Sequence, residues 1–396
     1  MTMTRRAVVT LLALMLPLPL AGAASAIPVE AAPSVAFAAL QPDRLELPSP
    51  TGPHAVGLTT LPLTDTSRTD HWVPSAGARE LLISMHYPAR RGTGTAPARP
   101  YMTAEEARRL LEKTASWKLI PRGNEARLSA TRTHARDNAR PTPGKFPLLV
   151  LSPGFGLSRM TMTSLAEELA SRGYVVASVD HAYESYATEF PGKGVLPCTA
   201  CTLIGPDRPT SEVAQGRARD VSFVLDTLTG PARAWPYARM INAKRIGMAG
   251  HSVGGNGASQ AMVTDRRIRA GANVDGGFHA PIPQAGLDGR PFMLFGNGNP
   301  QDPGEWNWET NWPRLDGWKR WIQVTGSHHF SFIDLPALAD QVPDATIPPG
   351  APSGKRSAEI TRDYVTAFFD LHLKKIPQPL LDGPTPANPE VVFTRS

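Results

Sequence analysis

The chain has 396 residues, 41% of them hydrophobic and 19% charged, an ordinary balance for a globular protein with a sizeable core. A formal net charge of +6, spread along the sequence, argues for solubility and against a nucleic-acid patch. The two cysteines, Cys198 and Cys201, have no second pair with which to complete a zinc site.

The N-terminus reads as an export signal. Arg5 and Arg6 form a basic region, Ala7 to Leu20 an apolar one, and Ala24-Ser25-Ala26 a small-residue cleavage site. Arg5-Arg6 after Thr4 also loosely fits twin-arginine export. The apolar run is too short to span a bilayer comfortably, and no later stretch is long and apolar enough to do so. Cleavage after Ala26 is expected, with a secreted product whose charge, after loss of both arginines, is +4. In an oxidising compartment, Pro197-Cys-Thr-Ala-Cys201 is expected to close a local disulfide across a surface loop.

Residues 27–50 are rich in Ala and Pro and suit an extended arm. Val56 to Leu63 and Arg79 to Tyr87 read as an antiparallel strand pair at a sheet edge. Residues 88–145 are polar and Pro-rich, an excursion with one amphipathic helix near Ala104 to Lys113. From Phe146 strands and helices alternate. Strands are expected at Leu148–Leu151, Tyr174–Val179, Arg245–Ala249, Ala270–Val274, Pro291–Phe295 and Trp321–Val324. Helices are expected at Leu165–Arg172, Ser211–Leu228 and Ala358–Leu373. Short apolar runs between helices imply a mainly parallel sheet covered on both faces, with antiparallel strands at its N-terminal edge. Residues 51–396 then form one α/β domain with the layout of an α/β-hydrolase.

Gly250-His251-Ser252-Val253-Gly254 joins one of these strands to a helix. It has the G-x-S-x-G form of a nucleophile elbow. Glycine at the two flanking positions lets strand and helix pass each other, and the strained turn lifts the serine hydroxyl clear of the backbone. Ester hydrolysis also needs a base, a group that orients it, and donors for the oxyanion. In chain order the acid and then the histidine should follow the serine. Gly326-Ser327-His328-His329 stands after the last strand and supplies the base, His329 or else His328. Asp275 and Asp302 each follow a strand between the serine and this histidine, and spacing alone does not choose between them. The amide of Val253 and that of Phe155, in the Ser152-Pro153-Gly154-Phe155-Gly156 loop, are the expected oxyanion donors. Phe155, Trp306 and Trp308 are expected to wall the substrate pocket, while Trp318 and Trp321 pack on the sheet. His181, Tyr183 and Glu184 lack a third metal ligand and read as structural support for the site.

Several of these stretches resemble the platelet-activating factor acetylhydrolases of plasma type and their secreted bacterial lipase and esterase relatives. They are Gly52 to Gly57, Ser67-Arg68, Leu82 to Pro88, Gly250 to Gly255 and Gly326 to His329, and the resemblance covers about residues 51–373. It implies Ser252, Asp275 and His329 as the catalytic set, with Asp275 preferred because the acid of that family follows the strand after the elbow. Pro153 departs from the pattern, since many members carry His there. The oxyanion loop and elbow are also similar to bacterial cutinases and polyester hydrolases.

The expectation is therefore a monomeric, secreted serine hydrolase that cleaves lipid or short-acyl esters, touches lipid surfaces transiently, binds no nucleic acid, and needs no cofactor or metal. The alternatives are a cutinase-like polyester hydrolase and a non-catalytic binding protein on the same fold.

Overall fold

Leu148 and Val150 point to one hydrophobic core, and Leu149 and Leu151 to another, because successive side chains of a strand face opposite ways. In the computed structural model, which describes residues 44–95, 100–114, 119–298 and 307–396, this strand lies inside a ten-stranded sheet. Residues 1–26, most of the arm, Asp302 and Trp306 lie outside the described residues. Pro42–Ser396 forms one compact unit.

The strands are β1 (Ala55–Thr69), β2 (Ala78–Ala89), β3 (Arg136–Asp137), β4 (Phe146–Ser152), β5 (Val175–His181), β6 (Thr188–Phe190), β7 (Gly194–Leu196), β8 (Ile241–His251), β9 (Ile268–Val274), β10 (Phe292–Asn297), β11 (Lys319–Val324) and β12 (Val391–Arg395). The large sheet runs β12-β11-β10-β9-β8-β4-β5-β2-β1-β3, and β6 and β7 form a separate hairpin. From β11 to β5 every neighbouring pair is parallel. β2 joins β5, β1 joins β2, and β12 joins β11 in antiparallel fashion. The sequence pattern anticipates the parallel centre and the antiparallel N-terminal edge but not β12, a short edge strand in which only Val391 is buried.

The helices are α1 (Ala104–Lys113), α2 (Glu125–Ser129), α3 (Thr163–Ser171), α4 (Thr199–Leu203), α5 (Ser211–Thr229), α6 (Val253–Thr264), α7 (Trp308–Asn311), α8 (Asp334–Ala339) and α9 (Gly354–Phe369). α5 and α6 cover one face of the sheet, burying Val221, Leu225, Ala258 and Met262. α3 and α9 cover the other with Leu165, Leu169, Tyr364 and Phe368. Fully burying one such Val, Leu or Phe is worth about 1.5–3 kcal/mol, against about 0–1 for an exposed ion pair. The two apolar layers therefore fix the frame.

α1 opens with a capping box, Thr103 Oγ1 accepting from Glu106 N and Glu106 returning a carboxylate to Thr103 N. The excursion folds back through a third cluster, where Leu110, Leu111 and Leu128 meet Leu157, Ile333 and Leu335. The end of the arm joins it, with Leu45 and Leu47 buried and Leu47 N bonded to Arg132 O. β1 runs past its expected end at Leu63 to Thr69. Asp65 holds the Ser67 amide and the Arg68 guanidinium across a bulge, and Arg68 reaches on to Asp220. Among the described residues no helix is long and apolar enough to cross a membrane.

Candidate active site

β8 delivers Ser252 to the turn into α6, at φ 56° and ψ −128°, a left-handed conformation that costs a non-glycine residue energy. The flanking glycines make the turn possible. A Cβ on Gly250 would lie 2.2 Å from the Gly254 carbonyl carbon, and one on Gly254 would lie 2.1 Å from the Ser152 oxygen. The parallel ladder continues past the strand ends, since Ser252 N donates to Val274 O and Asp275 N to Phe295 O, both at 2.8 Å. Sheet register thus sets where the serine and the aspartate stand relative to each other.

Three of the expected side chains meet there. Ser252 Oγ lies 3.0 Å from His329 Nε2, and His329 Nδ1 lies 2.7 Å from Asp275 Oδ2. A carboxylate only accepts, so Nδ1 carries the proton and Nε2 is free to accept from the hydroxyl. Asp275 is fully buried, also at positive φ, while Ser252 and His329 are half-buried and open toward solvent. The other histidine, His328, instead caps the turn His329–Phe332, its Nδ1 accepting from Phe330 N at 3.3 Å.

Two residues beyond those picked from sequence complete the arrangement. Asn297, at the end of β10, donates its backbone amide to Asp275 Oδ1 at 2.6 Å and its side-chain amide to both carboxylate oxygens at 3.2 Å. His251, inside the elbow, is fully buried, and its Nε2 donates to the His329 carbonyl at 2.7 Å. Burial, reinforced by the nearby His329, holds the His251 imidazole well below its usual pKa, so this ring is a neutral prop. A polar residue closing an apolar strand was the available signal for Asn297. His251 sat in plain view within the motif.

Val253 N is the first amide of α6 and has no partner within the helix. On the facing loop Gly156 N donates to Glu184 O and Leu157 N to Gly154 O, while the Phe155 amide that precedes them has no partner among the described residues. The Phe155 side chain is partly buried and packs against an apolar cluster that includes Trp72, Ala200, Val253 and Ala280. The expected disulfide, Cys198–Cys201, is present and closes the segment whose Ala200 belongs to this cluster.

Trp308 departs from its expected place in the wall. It is 3% exposed, its ring packs edge-on against Trp321, and its Nε1 donates to Gly276 O at 2.7 Å. The indole therefore braces the acid-bearing loop from within the core. Trp321 is buried as expected, and Trp318, half-exposed, also packs on the core, over Phe368 and His372.

His181 and Glu184 enter a buried polar network beneath the Pro153–Gly156 loop together with Arg79, Arg217 and Asp220. Burial works against the Glu184 carboxylate, but Arg217 and Arg79 overcome it and hold the pKa below the usual value. Tyr183 packs at the edge of this region with Leu82 and Phe190.

A family profile described as platelet-activating factor acetylhydrolase, isoform II, matches residues 40–193. The chain is 30% identical over 390 residues to a probable 1-alkyl-2-acetylglycerophosphocholine esterase of Arthroderma benhamiae, covering 90% of this chain and 96% of that one. Over a shorter stretch, 127 residues and 32% of each chain, it is 31% identical to a bis(hydroxyethyl) terephthalate hydrolase of Streptomyces coelicolor. Among solved structures it is similar to a ferulic acid esterase from Streptomyces cinnamoneus, with 42% identity, a TM-score of 0.77, and coverage of 89% of this chain and 99% of that one. The sheet order, the helices on both faces and this likeness together are those of the α/β-hydrolase fold.

Proposed function

The chain belongs to the family of platelet-activating factor acetylhydrolase, isoform II, and is a carboxylic ester hydrolase; from that premise we propose that it works through a Ser252-His329-Asp275 triad and an acyl-enzyme. His329 Nε2 takes the Ser252 proton as Oγ attacks the ester carbonyl, and Asp275 holds Nδ1–H and stabilises the imidazolium. The amides of Val253 and Phe155 receive the charge that develops on the carbonyl oxygen. His329 returns its proton to the leaving alcohol, then activates water to release the acid. No step written this way calls on a cofactor.

The observation that carries this reading is the unbroken path of hydrogen bonds from an accessible hydroxyl at φ 56°, through 3.0 Å and 2.7 Å contacts, to a fully buried carboxylate. We take the substrates to be short-acyl or lipid esters, as in the names of the acetylglycerophosphocholine esterase relatives. A second reading has an observation of its own. The 42% identity to a ferulic acid esterase, together with the ring of Phe155 in the cluster that includes Val253, favours esters of aromatic acids. We further propose that the protein is exported, with residues 1–26 removed, in keeping with the closed Cys198–Cys201 disulfide.

The test is turnover of p-nitrophenyl esters from acetate to palmitate, of methyl ferulate, and of an acetylated ether phospholipid, by wild type and Ser252→Ala. Turnover by wild type alone is expected. An alanine variant that keeps wild-type activity would remove Ser252 from the mechanism, and the preferred ester separates the lipid from the aromatic reading.

A further inference from the structure

A second Ser-His-Asp chain lies directly under the oxyanion loop. Asp220 Oδ2 accepts from His181 Nδ1 at 2.8 Å, and His181 Nε2 lies 3.1 Å from Ser152 Oγ. Its atoms repeat the connectivity of the catalytic set, but its surroundings exclude nucleophilic chemistry. Ser152 is fully buried, as is Asp220, and His181 is 2% exposed. Ser152 Oγ also accepts from Arg217 Nη1 at 3.1 Å. A hydroxyl that donates to the imidazole and accepts from a guanidinium has its proton and a lone pair committed, and no substrate can reach it.

Arg217 is the member of this cluster that touches the loop itself. It crosses from α5 beneath the elbow, 1% exposed, and Nη1 also donates to the Pro153 carbonyl, while Nε donates to Glu184 Oε2 at 2.8 Å. Glu184 in turn accepts from Trp72 Nε1 at 2.8 Å and Arg79 Nη2 at 3.0 Å through Oε1, and its backbone oxygen accepts Gly156 N at 3.0 Å. Tyr186 N closes the other side by donating to Gly156 O at 2.9 Å. The loop Pro153–Gly156 is therefore gripped at its first carbonyl by Arg217 and at its last residue by the Glu184–Tyr186 segment. Between the two grips stands the amide of Phe155.

We propose that Arg217 is a positioning residue for ester hydrolysis: by holding the Pro153 carbonyl and the Glu184 carboxylate together, it fixes the Phe155 amide where the oxyanion forms. This rests on the triad reading above and adds to it the origin of the hole's rigidity. The physical basis is that oxyanion donors stabilise charge in proportion to how little they must reorganise, so a loop free to drift by about 1 Å loses much of the effect. A planar guanidinium suits the task because its fixed fork serves a carbonyl and a carboxylate at once, which an ammonium cannot do with the same geometry.

The experiment uses the full mature chain and compares wild type, Arg217→Met, Arg217→Lys and Ser252→Ala. With p-nitrophenyl acetate, Arg217→Met is expected to lower kcat about 10²-fold while KM stays within about twofold, with Arg217→Lys intermediate. In ¹⁵N-phenylalanine-labelled protein the Phe155 amide resonance, identified by its loss in Phe155→Leu, should shift or broaden in Arg217→Met. A folded Arg217→Met with wild-type kcat, a kcat loss matched by an equal rise in KM, or a Phe155 resonance that stays in place each overturns the proposal. If Arg217→Met does not fold, Arg217→Lys decides, since it keeps the buried charge but loses the fork that spans the Pro153 carbonyl and Glu184: about a tenfold fall in kcat at constant KM supports the proposal, and an unchanged kcat overturns it. Full activity in Ser252→Ala would defeat the triad reading separately, and the Phe155 resonance would then judge Arg217 alone.

Discussion

Two glycines one turn apart in α6 should respond to alanine in opposite ways. On Gly254 the new Cβ would stand 2.1 Å from Ser152 O, 2.7 Å from Ser152 C and 2.8 Å from Pro153 O. All three are backbone atoms, so no side chain can swing aside. Reaching even 3.0 Å requires α6 and the oxyanion loop to part by about 1 Å, close to the shortest carbon contact a folded chain tolerates. That movement separates Val253 N from Phe155 N, the two proposed oxyanion donors. Misplacement on this scale costs about 10²-fold in kcat, or about 2.7 kcal/mol of barrier. On Gly257 the added Cβ would meet Arg217 Cβ at 3.5 Å and Met248 Cε at 3.9 Å, ordinary contacts. Gly257→Ala should therefore keep wild-type kcat and gain about 0.4–1 kcal/mol of stability from the lower entropy of its unfolded chain. Steady-state kinetics on p-nitrophenyl acetate report kcat, and urea unfolding reports stability. A Gly254→Ala enzyme within threefold of wild type in kcat would refute the close-approach argument. A Gly257→Ala enzyme as damaged as Gly254→Ala would show that any substitution in the helix is harmful, whatever its contacts.

Asp275→Asn should lower kcat by about 10⁴ with little change in KM, because an amide nitrogen can turn to His329 Nδ1 and favour the wrong tautomer; a loss below tenfold would pass the role to another acid, Asp302 first. Trp308→Phe removes the indole donor from the Gly276 carbonyl, which still accepts from Asn273 Nδ2 at 2.8 Å, so stability should fall by about 0.5–1.5 kcal/mol while KM for short esters holds. A raised KM at unchanged stability would return Trp308 to the pocket wall. Burial, helped by Arg159, pushes the His86 imidazole down to about 3, so between that value and about 6.5 the unfolded chain binds a proton that the folded one refuses. Stability contributed by this group is present above about pH 6.5 and is lost on acidification, by about 2 kcal/mol at pH 5. His86→Phe should lose correspondingly less between pH 7.5 and pH 5 in urea titrations, and equal losses in the two proteins would contradict the assignment.

The elbow could be read from sequence because every constraint on it is local: two glycines, an apolar run before and small residues after. Ser252, Asp275 and His329 are picked out by chain order and family pattern, and the structure brings the three within hydrogen-bonding distance. Strand pattern alone left Asp275 and Asp302 level, since each follows an apolar run and only the ladder partner of Asp275 N, Phe295 O, reveals its depth. The place of Trp308 is not legible in the sequence, because the destination of its indole N–H is Gly276 O, fixed by tertiary contact 32 residues away. Arg217 gave no signal, being one arginine in an amphipathic helix whose partners come from β4, the loop after it, and the turn after β5. β12 escaped notice because an edge strand with one buried residue has little alternation to detect.

The ladder that runs from Ser252 to Val274 and from Asp275 to Phe295 has a consequence for how such a protein changes over generations or in the hands of an engineer. The relative placing of Ser252 and Asp275 is inherited from strand pairing, while the segments packed around them, the Phe155 cluster, the disulfide-closed segment at Ala200 and the excursion, come from connections between strands. The disulfide-closed segment and the excursion can be lengthened, shortened or exchanged without moving the triad, as long as the strands keep their register and the short loop that carries the Phe155 amide is left in place. Diversification of substrate range and preservation of mechanism thereby become separate problems, written in different parts of the chain.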